Sequence, residues 1–147
     1  MRVFCDANLF ISYLLSRARA SSAVAAILQA ATARTITLLF TPGTGEEIRD
    51  SIRDRADLKA KIADDDVEAL LGNLDAIAVS VPRIAAPPRV SRDPDDDYVI
   101  ACEIAADADY IVTWDKDLLG LGQVDGVRVV TPAELLRVLR EEGRLPG

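Results

Sequence analysis

Short, unbroken apolar runs alternate with stretches of helical periodicity, and this alternation restricts the fold more than any other feature of the chain. RVFC (Arg2 to Cys5), TLLF (Thr37 to Phe40), AVSV (Ala78 to Val81), YIVT (Tyr110 to Thr113) and VRVV (Val127 to Val130) read as strands. Strands of this kind, apolar throughout rather than at every second position, belong to a parallel sheet buried on both faces. The segments between them read as helices. Ser21 or Ser22 is placed to N-cap AVAAILQAATA. A helix carrying Glu46, Glu47, Ile48 and Ile52 is expected to start near Thr44 or Gly45, with Thr41-Pro42-Gly43 closing the second strand. Apolar spacing through Leu58, Ile62, Val67, Leu70, Leu71 and Leu74 predicts two helices broken near Asp64. IAAPPRVSRDP reads as a loop, and Asp95 or Asp96 as the N-cap of DYVIACEIAADA. Thr131-Pro132-Ala133-Glu134 is a capping box with Pro at the first helical position, and Gly143 stops the helix it opens. The expectation is one α/β domain over residues 1–147, a three-layer sandwich with a central parallel sheet flanked by helices.

What the chain lacks excludes several chemistries. It has no histidine, so Ser-His-Asp and Cys-His catalysis, HExxH zinc sites and two-His-one-carboxylate iron sites are out. Cys5 and Cys102 form no CxxC pattern and read as buried thiols. A net charge of −7 opposes nonspecific nucleic-acid binding by the whole surface, though not a local basic groove. Aromatics make up only 5 % of the residues, so Ala, Val, Ile and Leu must fill the core. No apolar run is long enough to span a bilayer, and the first residues lack a signal-peptide pattern. The expected location is the cytoplasm, away from membranes.

The acids stand where a parallel sheet places its ligands. Open α/β sheets bind beyond the C-terminal ends of their strands. Asp6 follows the first strand, Glu46 and Glu47 follow the second, and Asp115, with Asp117 after it, follows YIVT. Asp95, Asp96 and Asp97 open the helix before that strand. Crowded carboxylates repel one another and resist ionisation unless a cation neutralises them. Oxygen ligands alone suit Mg²⁺ or Mn²⁺, as one or two ions. The matching chemistry is phosphodiester hydrolysis by metal-activated water. Each acid also has a plainer reading. Asp6 fits a helix cap, Glu47 a first-turn acid facing the helix dipole, one of Asp95 to Asp97 an N-cap, and Asp115 to Asp117 a turn.

The chain resembles the PIN-domain family, in particular the nuclease toxins of bacterial and archaeal toxin–antitoxin modules (the VapC-like group). The resemblance lies in RVFCDANLFISYLL, in DPDDDYVIACEIAADADYIVTWDKDLL and in the TPAELL turn, and runs nearly end to end. It implies a PIN-like sandwich and an Mg²⁺- or Mn²⁺-dependent ribonuclease. It also assigns the catalytic acids to Asp6, Glu47 (Glu46 as the fallback), Asp97 and Asp115. Asp6, Asp97, Asp115 and Asp117 would hold metal, and Asn8 and Thr113 would orient the acids. A cognate antitoxin protein and a homodimer are the implied partners. Trp114 stands where a small residue is expected.

RNA would have to reach an acidic protein. Arg49, Arg53 and Arg55, with Lys59 and Lys61, follow Glu47 closely and are candidate RNA contacts; the plainer reading is a solvated face interleaved with Asp50, Asp54 and Asp57. Two rival functions remain open at this point. One is a catalytically inactive module of the same fold that binds RNA or protein. The other is a phosphoryl-accepting receiver-like domain, although the third strand here runs into Pro82-Arg83 where such a domain needs an aspartate.

Overall fold

A computed structural model of the chain describes residues 1–16, 22–80, 108–124 and 126–144. Strand β1 (Arg2–Cys5) leads into α1 (Ala7–Leu15) and α2 (Ala23–Thr32). Next come β2 (Thr37–Phe40), α3 (Pro42–Asp54), α4 (Ala56–Lys61), α5 (Asp64–Ile77) and β3 (Ala78–Ser80). The C-terminal part holds β4 (Tyr110–Val112), α6 (Lys116–Leu119), β5 (Gln123–Val124), β6 (Val127–Val130) and α7 (Pro132–Glu141). The helix expected over DYVIACEIAADA, with Asp95 to Asp97 and Cys102, lies outside the described residues.

The sheet order is β3-β2-β1-β4-β6-β5. Its first five strands are parallel, and only the short β5 runs antiparallel, against β6. The chain winds outward from β1 through β2 to β3, then crosses to the other side of β1 for β4 and β6. The sheet therefore reverses its direction of growth between β1 and β4. The two alternating residue sets of the strands explain their unbroken apolarity. Val3, Cys5, Leu38, Tyr110, Val112 and Val130 join Phe10, Ile27, Ile48, Leu74 and Leu135 from the helices in one core cluster. Phe4, Leu39, Ile111 and Val129 point to the opposite face and are buried as well. The α/β sandwich with a central parallel sheet is thus the architecture observed. Ala78–Ser80 of the AVSV run form the outermost parallel strand, and Val79 is exposed; Val81 lies outside the described residues.

Capping chemistry sets the helix starts. The Ser22 hydroxyl accepts from Ala25 N–H at 3.0 Å. Thr131 accepts from Glu134 N–H at 3.2 Å, and its hydroxyl donates to the Glu134 carboxylate at 3.1 Å. Gly143 ends α7 at φ 71°, a conformation that costs glycine little. One helix start differs from expectation. α3 begins at Pro42, not at Thr44 or Gly45, because Thr41 caps it through Thr44 N–H at 3.1 Å. Proline has no N–H to leave unsatisfied at the first helical position. The Thr41-Pro42 pair thus does what Thr131-Pro132 does, and the segment read as a strand-closing turn is the first turn of a helix. Glu46 and Glu47 accordingly sit in the second turn, and the first turn of α3 carries no acid.

Candidate active site

The register of the sheet brings the C-terminal ends of β1 and β4 level with each other. Cys5 pairs with Val112, and Asp6 N–H donates to Val112 C=O at 3.0 Å. Thr113 N–H in turn donates to Val130 C=O at 3.0 Å. Asp6 and Thr113 therefore emerge side by side at the point where the sheet reverses, the position at which open α/β sheets bind ligands. On either side, one residue past their strands, Thr41 and Thr131 cap α3 and α7.

A single buried hydroxyl joins the two acids. Thr113 is 0 % exposed. Its Oγ1 donates to Asp6 Oδ2 at 2.9 Å and accepts from Asp115 N–H at 3.0 Å. Asp115 caps α6, with Oδ1 accepting from the N–H groups of Asp117 at 2.8 Å and Leu118 at 3.4 Å. Asp115, whose plainer reading from the sequence is a turn, is thus a helix cap. The cap reading does not hold for Asp6, which stands at the N-cap position of α1 but makes no side-chain capping bond. Asp6 instead turns its carboxylate to Thr113.

Burial pushes the Asp6 carboxyl above its ordinary pKa, and the nearby charge of Asp115 pushes the same way. The hydrogen bond from Thr113 and the backbone N–H groups of Ala7 and Asn8 offset part of that rise. Among the described residues neither Asp6 nor Asp115 forms an ion pair with lysine or arginine. A half-buried negative pair with no counter-charge among the described residues is the electrostatic condition that a hard divalent cation relieves. The donor set fits such an ion. Among the described residues no three acidic or thiol side chains cluster tightly enough to hold a metal, and Asp97 lies outside them.

The other residues singled out from the sequence fall as follows. Asn8 is exposed in the first turn of α1, and Asp117 is exposed in the first turn of α6. Glu47 is exposed on α3. In the second turn it is past the reach of the helix dipole, so the plainer account of this residue loses its basis. Glu46 lines a cavity of about 330 Å³ together with Phe40, Arg49, Leu71, Asp75 and Ser80. Glu47, the next residue on the helix, is turned about 100° away from it. Arg49 holds Glu68 through two hydrogen bonds, at 3.2 and 3.1 Å. Arg53 pairs with Asp50 at 2.9 Å and Asp54 at 3.1 Å, and Arg55 with Asp57 at 3.0 Å. These arginines thus form an exposed, internally paired face. The turn from Thr113 to Asp115 also presents Trp114, 47 % exposed.

A family model described as PIN domain matches residues 2–117, a span that includes Asp6, Glu47, Asp97 and Asp115. The chain belongs to the PIN-domain family, whose members are in general nucleases that work with divalent metal ions. No curated protein and no solved structure gives a significant match. No helix among the described residues is long and apolar enough to cross a membrane.

Proposed function

We propose that this protein is a ribonuclease that hydrolyses RNA phosphodiesters with Mg²⁺ or Mn²⁺. The observation that carries the reading is the Asp6–Thr113–Asp115 arrangement at the sheet's reversal point: two half-buried acids tied together, with no cationic side chain to balance them among the described residues. Asp6, Asp97 and Asp115 would hold the ion or ions, with Asp117 assisting through water. Bound there, a divalent ion would supply activated water at neutral pH and neutralise the charge that builds on the phosphate.

The protein's own groups do the rest. Thr113 fixes the rotamer of Asp6 and the backbone of Asp115, and the α6 cap uses Asp115 Oδ1, which leaves its Oδ2 for an ion. Asn8, two residues after Asp6, supports the same rim. Glu47 orients the attacking water or completes the ligand shell. Attack in line on phosphorus leaves a 5′-phosphate and a 3′-hydroxyl. Within the family, the toxin of a toxin–antitoxin pair is the role we assign, with a cognate antitoxin as inhibitor, a homodimer as the assembly and the cytoplasm as the place of action.

Purified protein should cut RNA in Mn²⁺ and stop when EDTA is added. Asp6→Asn and Asp97→Asn should each abolish cleavage, and sequencing the RNA ends beside the Asp97→Asn control should show the 5′-phosphate polarity. Cutting that persists in both variants, or that ignores EDTA, removes the proposal. A folded protein that shows neither cleavage nor metal-linked stabilisation is an inactive module of the same fold.

A further inference from the structure

Trp114 is the only tryptophan in a chain with few aromatics, and it is not in the core. Its side chain is 47 % exposed, while its neighbour Thr113 is 0 % exposed. It is also held firmly. Thr113 is anchored to β6 through Val130 C=O and to Asp6 through its hydroxyl. Asp115 is anchored to Thr113 and to the first turn of α6. The indole thus projects from a turn whose backbone is fixed on both sides, between Thr113 and Asp115 of the Asp6–Thr113–Asp115 network. A large apolar ring left in water gains free energy when another flat surface covers it. An unpaired nucleobase offers such a surface, whichever base it is.

We propose that Trp114 is a stacking platform for an unpaired base of the RNA bound at this site. The inference rests on the ribonuclease reading above and deepens it. Bases inside a duplex already stack on their neighbours and have no free face to offer, so a duplex would lose this contact. A ring carried on the anchored turn between Thr113 and Asp115 would also set the distance between the stacked base and the phosphate presented to Asp6 and Asp115. Trp114 acts here as a positioning residue for substrate.

Being the sole tryptophan, Trp114 reports on itself. Binding is measured on full-length Asp6→Asn protein in EDTA, which keeps the indole, removes one charge that repels phosphate and prevents cleavage. Three probes of equal length are compared: single-stranded RNA, the same RNA in a duplex, and an abasic sugar–phosphate strand. Single-stranded RNA should quench the indole emission, and the abasic strand and the duplex should not. Adding Trp114→Ala should weaken single-strand binding about 5- to 150-fold, followed by anisotropy of labelled RNA, because base–aromatic stacking contributes about 1–3 kcal/mol per base. Trp114→Phe should retain most of the affinity. Unchanged emission at saturation, equal binding of the abasic strand, equal binding by Trp114→Ala, or no binding of any strand each overturns the inference. Wild-type cleavage in Mn²⁺ then separates the two readings. Cleavage without quenching leaves the ribonuclease and removes the platform. Quenching without cleavage leaves the platform and removes the ribonuclease.

Discussion

Replacing Thr113 with valine keeps the shape of the side chain and deletes the hydroxyl that joins Asp6 to Asp115. The structure sets the size of the effect. The bond from Thr113 Oγ1 to Asp6 Oδ2, at 2.9 Å, ends on a carboxylate, and hydrogen bonds to charged groups contribute about 1.5–3 kcal/mol. The same oxygen accepts from Asp115 N–H at 3.0 Å, and Asp115 is only half-buried. Water partly replaces that acceptor, so its loss sits near the low end of the range for an unsatisfied group, about 1 kcal/mol. Together Thr113→Val should destabilise the protein by about 2.5–4 kcal/mol. At about 2–4 °C per kcal/mol for a chain of this length, the melting midpoint falls by about 5–15 °C. Thr113→Ser is the control. It keeps both bonds and removes one methyl from a fully buried site, at a cost of about 1 kcal/mol. Urea unfolding of the three proteins at neutral pH, in EDTA, measures the difference. Valine and serine variants that unfold at the same urea concentration would refute the claim that this hydroxyl ties the two acids together.

Other perturbations have equally definite outcomes. The raised pKa of Asp6 means that the folded protein binds a proton more tightly than the unfolded chain does. Stability contributed by this group is therefore lost as pH climbs from the ordinary carboxylate value of 3.8 through the raised one, and stays level above both. In EDTA, Asp6→Asn should be more stable than wild type at pH 7 and should lack that decline; denaturation from pH 4 to 7 measures it, and a less stable Asn variant would contradict the charge argument. Mg²⁺ or Mn²⁺ should raise the wild-type melting midpoint at pH 7, less so as the pH falls through the same window, and should leave Asp6→Asn almost unmoved. Thr131→Ala removes the cap on Glu134 N–H and should cost about 1 kcal/mol in urea unfolding, without touching metal-linked stabilisation. Arg53→Gln removes only exposed ion pairs and should leave the melting midpoint essentially unchanged, which thermal melts can check.

Local chemistry was readable in the sequence wherever one segment decides its own conformation. RVFC, TLLF and VRVV are strands to the residue, because each is a short apolar run that two covered sheet faces require. The break between α4 and α5 falls at Ile62-Ala63, where the helical spacing of apolar residues changes. Ser22 and Thr131 cap as their sequences suggest. The start of α3 was misread because Thr-Pro-Gly is as good a turn as it is a helix opening, and only the hydroxyl geometry of Thr41 distinguishes them. The two residues of β5 carry no periodic signal; they pair with β6 across a turn in which Gly126 adopts φ 86°. At the site, the sequence placed Asp6 and Asp115 after their strands, and the strand order β1-β4 makes those ends neighbours. Which acid caps a helix and which is left for a ligand is not a property of either segment. Both begin a helix, and Asp6 is diverted from its own cap by a hydroxyl on the adjacent strand.

The Asp6–Thr113 bond spans 107 residues of sequence. Contacts this distant form slowly, because a long loop must close before they are rewarded. At roughly 5–20 residues per second, synthesis itself separates the two residues by about 5–20 s. Throughout that interval the growing chain exposes one half of its acid pair without the other. Until Thr113 has been added to the chain, nothing can tie Asp6 into that network.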